Sequence, residues 1–212
     1  MRISHVMRGE EHINNTPRQI NLYRALGWTP PQFGHLPLIL APDGSKLSKR
    51  HGAVSVLQYD EDGFLPEALF NYLARLGWSH GDEEKFTRDE LVQWFDLQHV
   101  NRAPAQYNLD KLMWLNGEYI KEADNDRLVS LVAARIEARG GDLLGGPALH
   151  SVVALFKDRS RTLNELADAA LLFYSEPGVK VELLAEHLND SGRQAVQAFR
   201  DRAFEFPWER AA

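Results

Sequence analysis

The chain has 212 residues, 44% of them hydrophobic and 25% charged, which is enough to bury a core and to divide into two or three small domains. Its formal net charge of −6 argues against a protein that coats nucleic acid without specificity, because such domains are strongly basic, although an acidic chain can still carry local basic surfaces. The sequence has no cysteine, which excludes disulfides, thiolate zinc sites and cysteine nucleophiles.

No apolar run reaches the roughly 18 residues of a membrane span. Met1-Arg2-Ile3-Ser4 leads into charge rather than into a signal-peptide core, so a cytoplasmic protein with no membrane partner is expected. Residues 2 to 8 alternate enough for one strand, ending at Arg8-Gly9. Thr16 has the chemistry of a helix N-cap, with Pro17 at the first helical position and Ile20, Tyr23 and Leu26 on one face until Gly27. Leu36 to Leu40 is a continuous apolar run between Pro and Gly signals, the pattern of a buried parallel strand. Strand, helix, strand and then a basic loop read as the tail of a nucleotide-binding α/β domain. The loop holds Lys46-Leu47-Ser48-Lys49-Arg50 between Gly44 and Gly52, a mobile cationic clamp suited to a polyphosphate.

After Gly52 the pattern is helical. Ser55 to Asp62 forms a short helix closed by Gly63. Pro66 opens a second that carries Leu69, Tyr72, Leu73 and Leu76, and Thr87-Arg88-Asp89-Glu90 is a capping box for a third. Asn108 caps a fourth, with Leu112, Leu115 and Tyr119 on one stripe. The aromatic residues here belong to a core rather than to a cofactor site, and Asp82-Glu83-Glu84 reads as a solvated turn. The polar string Asp124-Asn125-Asp126 marks a boundary, followed by helices at about 126–139, 147–157, 162–174, 181–188 and 191–205. Thr162-Leu163-Asn164-Glu165 is a further capping box, and Pro207 stands at the start of one more helix. The basic groups around Arg135 and Arg139 and at Lys157, Arg159 and Arg161 fit either solvated helix ends or an RNA contact. The histidines lack any regular metal-ligand spacing, so no metal site is expected.

The Lys46 to Arg50 stretch resembles the K-M-S-K-S signature of class I aminoacyl-tRNA synthetases in its glutamyl variant. The resemblance extends to His5-Val6-Met7-Arg8-Gly9-Glu10-Glu11-His12, Asn15-Thr16-Pro17-Arg18-Gln19, His35-Leu36-Pro37-Leu38-Ile39-Leu40, Leu65-Pro66-Glu67-Ala68-Leu69, Leu76-Gly77-Trp78-Ser79-His80-Gly81 and Asn108-Leu109-Asp110-Lys111-Leu112. It is dense over the first 120 or so residues and fades to helical pattern beyond.

What the resemblance implies is a glutamate-tRNA ligase, which joins glutamate to ATP by attack of its carboxylate on the α-phosphate and transfers it to tRNA. Lys46, Ser48 and Lys49 would be catalytic, the lysines neutralising charge on the ATP phosphates as pyrophosphate separates and Ser48 shaping the loop. Glu11, His12, Leu36, Lys49 and Arg50 would bind ATP, and Arg8 would face the substrate glutamate. ATP and Mg2+ are the implied cofactors; glutamate, ATP and a glutamate-accepting tRNA are the implied partners of a monomer. The fold expected is mostly α, a remnant of a class I α/β nucleotide-binding fold followed by two helical domains. On this reading residues 1–54 are the C-terminal part of the catalytic domain, 55–123 a helical connecting domain and 124–212 the first part of the anticodon-binding region. The family's H-I-G-H signature is absent from the 212 residues, so the chain is expected to be an internal fragment, inactive alone and with no zinc site. The alternative is a non-catalytic tRNA-binding or helical interaction module.

Overall fold

A computed structural model describes residues 2–47, 55–176, 184 and 188–205. The expected helices at 181–188 and after Pro207 lie wholly or mainly outside the described residues, as do Ser48, Lys49 and Arg50. The fold is mostly α, with short parallel strands at its start. Residues Met1–Tyr174 form one compact unit and Ser175–Ala212 a second.

The first strand, β1 (His5–Gly9), leads through a 3₁₀ turn, Glu10–Asn15, into helix α1 (Thr16–Ala25). Gly27, at φ +70°, reverses the chain toward β2 (Gln32–Leu36). β1 and β2 pair in parallel, with Val6 opposite Phe33 and Arg8 opposite His35. The apolar run 36–40 is not one strand. Pro37 has no N–H to give a ladder, and the Leu38 N–H goes instead to Glu10 Oε1 at 3.3 Å. The ladder resumes as β3 (Ile39–Leu40), which pairs in parallel with β4 (Ala105–Gln106). Leu36 and Ile39 are exposed rather than buried; among the described residues before Ser48, only Ala41 is buried.

Thr16 is not an N-cap. It already has helical dihedrals, φ −61° and ψ −46°, because the 3₁₀ turn runs directly into α1. Its hydroxyl is therefore free to bond elsewhere.

The core lies among the helices. These are α2 (Val56–Glu61), α3 (Pro66–Gly77), α4 (Arg88–Trp94), α5 (Leu109–Glu122), α6 (Asn125–Ala138), α7 (Leu149–Phe156) and α8 (Leu163–Leu171). Local sequence sets their ends. Ser55 caps α2, Thr87 and Glu90 form the expected capping box of α4, Asn108 caps α5, and Asp124 caps α6 by accepting from the N–H groups of Asp126 and Arg127. At α8 only half of the expected box forms: Thr162 accepts from the Glu165 N–H, while Glu165 Oε2 takes the Arg161 N–H at 2.7 Å.

Leu65 and Ala68, Ile120 of α5, Leu128, Val132 and Ile136 of α6, Val152 and Val153 of α7 and Leu163, Leu166, Ala167 and Ala170 of α8 make one continuous apolar cluster. A second cluster joins Phe64, Leu69 and Tyr72 to Tyr107, Leu112 and Leu115. Tyr72 and Trp78 are core residues, as the pattern predicts, whereas Trp28 and Trp114 stay largely exposed. Two buried asparagines stitch the helices together. Asn116 Oδ1 accepts the Leu65 N–H at 2.8 Å and its Nδ2 donates to Arg161 O at 2.6 Å. Asn71 accepts the Phe86 N–H and donates to Glu84 O.

Glu84 departs from the solvated turn expected of it. It takes a two-pronged contact from Arg75 and pairs with Lys111 at 2.8 Å. Gly63 must be glycine: its φ is +88°, and a Cβ there would sit 2.7 Å from the Asn164 backbone nitrogen. In the second unit, Asn189 caps helix α9 (Asp190–Arg202), which ends in a 3₁₀ turn, Ala203–Glu205.

Candidate active site

The expected site residues that are described gather at the C-terminal end of β1 and on the turn after β3. Two groups form there. The first is built on Arg8. Its Nη2 donates to Thr16 Oγ1 at 2.8 Å and to His12 O at 3.4 Å, its Nε donates to His35 Nε2 at 3.4 Å, and its Cζ lies 5.3 Å from the centre of the Phe33 ring. The β1–β2 register dictates part of this, since directly opposed residues share one face of a sheet. Such a guanidinium can recognise a carboxylate.

The second group joins Lys46 to Glu11. Residues 40–47 fold back on themselves: the Ala41 N–H reaches Ser45 O at 2.8 Å, and the Leu47 N–H reaches Ile39 O at 3.0 Å. Asp43 Oδ1 accepts both the N–H and the hydroxyl of Ser45, an Asx-type turn. Gly44, at φ +79°, completes it. Gln106 of β4 holds the turn from outside, donating to Pro42 O at 2.6 Å and Ala41 O at 3.3 Å. The turn presents the Lys46 ammonium 3.7 Å from Glu11 Oε1, on the 3₁₀ turn after β1. The Glu11 carboxyl is held below the usual carboxylate range by its own backbone N–H first, against an opposing desolvation, and then by Lys46 and His12. Both side chains remain open to solvent, so this pair contributes little to stability and leaves a cation available to an anionic ligand.

His12 follows Glu11 on the same turn, and its Nδ1 lies 3.3 Å from Asn15 Nδ2. Leu36 ends β2 and lines a cavity of about 380 Å³ together with His5, Glu10, Phe33, His35 and Arg102. Arg8 and His12 are thus brought together, as are Glu11 and Lys46, and the 3₁₀ turn links the two groups. Sequence reasoning assigned no site role to Thr16, His35, Phe33 or Gln106. The strand register could have pointed to His35, but Gln106 acts through backbone carbonyls and leaves no local signal.

Most of the basic residues singled out beyond the loop have protein partners. Arg135 pairs with Asp60, Arg139 with Asp168 and Arg161 with Glu165, and Lys157 donates to Ala123 O. Among the described residues no group of three or more His, Asp or Glu side chains is placed to hold a metal ion, and no helix is long and apolar enough to cross a membrane.

The chain is similar to curated glutamate-tRNA ligases along its whole length. It is 57% identical over 212 residues to the one from Azoarcus sp. (strain BH72) and 57% identical over 214 residues to the one from Ralstonia nicotianae (strain ATCC BAA-1114 / GMI1000). It spans 45% and 46% of those two proteins, about half their length. A crystal structure of a glutamate tRNA ligase from Elizabethkingia meningosepticum CCUG26117, in complex with its amino acid, superposes with a TM-score of 0.77 at 27% identity, covering 99% of this chain and 45% of that one. A glutamate-tRNA synthetase from Elizabethkingia anophelis gives 0.74 at 30% identity, covering 88% of this chain and 41% of that one. The family model for class I tRNA synthetases (E and Q), catalytic domain, matches residues 1–114. This match over more than half of the sequence places the chain in the family of class I tRNA synthetases for glutamate and glutamine.

Proposed function

We propose that the chain is part of a glutamate-tRNA ligase, a cytoplasmic, monomeric enzyme that activates glutamate with ATP and transfers it to tRNA. The observation that carries this is the 57% identity to ligases of that specificity across all 212 residues. The site supports it chemically. Arg8 is a fixed cation suited to the side-chain carboxylate of glutamate. Lys46 opens the stretch in which Ser48, Lys49 and Arg50 would meet the phosphates of ATP, and lysines there can strengthen their contacts as pyrophosphate leaves. Glu11, His12 and the backbone at Leu36 would line the nucleotide. Mg2+ would arrive with ATP, held by its phosphates, since such ions keep several waters and take few protein ligands.

On this reading residues 1–54 belong to the catalytic domain, 55–123 to a connecting domain and 124–212 to the start of the anticodon-binding region. The 212 residues contain no H-x-G-H, so they alone are expected to give no aminoacylation. The deciding experiment is ATP–pyrophosphate exchange by the protein at the length of its ligase relatives. Exchange that requires both glutamate and tRNA supports the proposal; its absence refutes it.

A further inference from the structure

The geometry points to Thr16 and His35 as positioning residues that fix the direction in which Arg8 offers its charge, and so as determinants of which amino acid the site accepts. This rests on the reading of Arg8 as the residue that meets the substrate side-chain carboxylate.

A guanidinium carries five N–H bonds in one plane and can form a two-pronged contact along either its Nε–Nη2 edge or its Nη1–Nη2 edge. In this fold the first edge is occupied from within, closely by Thr16 Oγ1 at 2.8 Å and more loosely by His35 Nε2 at 3.4 Å. Nε donates to His35 Nε2 and Nη2 to Thr16 Oγ1, and these two acceptors are themselves 3.0 Å apart. Together they occupy the place a carboxylate would take on that edge. Phe33 lies against the guanidinium as well. On the remaining Nη1–Nη2 edge, the described residues supply only the 3.4 Å contact from Nη2 to His12 O. That contact is long and weak, so an incoming carboxylate displaces little.

Arg8 sets part of the polarity of the network. Arg8 can only donate. Thr16 Oγ1 accepts from Arg8 Nη2 and has one proton to give, with His35 Nε2 at 3.0 Å and His12 O at 3.4 Å as acceptors. His35 Nε2 faces the Arg8 Nε donor at 3.4 Å, a contact that is favourable when the ring proton sits on Nδ1. The opposite tautomer would set a ring N–H against an arginine N–H.

Three elements converge on this one side chain. The parallel register sets His35 of β2 opposite Arg8 of β1, and the 3₁₀ turn delivers Thr16 at the start of α1 with its hydroxyl uncommitted to capping. An arginine whose plane is set before the substrate arrives loses less freedom on binding. It also rejects a neutral side-chain amide more sharply, because an amide NH2 would face N–H donors that cannot turn away. Glutamate over glutamine is therefore the preference that Thr16 and His35 sharpen.

The test uses the protein at the length of its ligase relatives, assayed by ATP–pyrophosphate exchange in the presence of tRNA. Thr16→Val keeps shape and removes the acceptor, and Thr16→Ser restores a hydroxyl. His35→Phe removes the ring acceptor, and His35→Gln offers an amide oxygen in its place. The expected result is a roughly tenfold rise in the KM for glutamate in the Val and Phe variants. The KM for ATP should be unchanged, the preference for glutamate over glutamine should weaken, and the Ser and Gln variants should recover. If melting curves show that one disruptive variant does not fold, the other pair reads the same quantity. An unchanged glutamate KM, or a rise in the ATP and glutamate KM together without rescue, overturns the assignment and leaves the ligase reading standing. No exchange by the unsubstituted protein overturns both.

Discussion

Asn116→Leu should be among the most destabilising single changes in the helical core. Asn116 is fully buried. Its carbonyl oxygen accepts the Leu65 N–H at 2.8 Å, and its amide donates to Arg161 O at 2.6 Å. Leu65 precedes the first turn of α3, so its N–H has no helical carbonyl to turn to. Leucine keeps the branching of asparagine but is bulkier, so it crowds the site and leaves the buried Leu65 N–H and the part-buried Arg161 carbonyl without their partner, at a combined cost of about 4 kcal/mol. The added apolar burial offsets about 1 kcal/mol, leaving a net loss of about 3 kcal/mol. For a unit of this size that lowers Tm by about 6–12 °C. Calorimetry or circular dichroism melting of the chain and its variant reads this directly. A fall of less than about 2 °C would show that water or a backbone shift satisfies both groups, and would refute the reasoning.

Three further outcomes follow from named contacts. Glu84, held at about 2 by Arg75 first, against desolvation, and then by Lys111, has a depressed folded-state pKa. Its stabilisation is present above its unfolded value and is lost as pH falls from about 5 to about 2; because Glu84 is partly exposed, its size is about 1 kcal/mol. The Tm gap between the chain and Glu84→Gln should close across that window, and a constant gap from pH 7 to pH 2 contradicts it. Gly63→Ala places a Cβ 2.7 Å from the Asn164 backbone nitrogen at φ +88° and should cost roughly 2–3 kcal/mol in urea unfolding; an unchanged midpoint rules the strain out. Lys49→Ala in the ligase-length protein should lower turnover about 100-fold with little change in the glutamate KM, whereas equal losses in both would remove its role in the transition state.

The features that were legible in the sequence are those decided within a few residues. Thr87 and Asn108 cap the helices they precede, because a side-chain oxygen meets an N–H three residues on. Features set by distant partners leave no local signal. Thr16 has the chemistry of a cap, but the preceding 3₁₀ turn had already supplied helical geometry, and its hydroxyl turned to Arg8 and His35. The run 36–40 carries the composition of a buried strand, yet Pro37 breaks the ladder and Glu10 claims the Leu38 N–H. β4 is two residues long and exists through its pairing with β3, so no pattern announces it. Glu84 lies in an acidic stretch whose surroundings say solvent, while its partners stand on α3 and α5. At the site, motif resemblance pointed to Arg8, Glu11 and Lys46. The geometry adds the supports that a motif does not contain.

The most direct test of the account is ATP–pyrophosphate exchange by the ligase-length protein across a panel of the standard amino acids, with and without tRNA. The account predicts exchange with glutamate alone, and only when tRNA is present. Exchange with another amino acid in preference to glutamate, or none with glutamate, would contradict it.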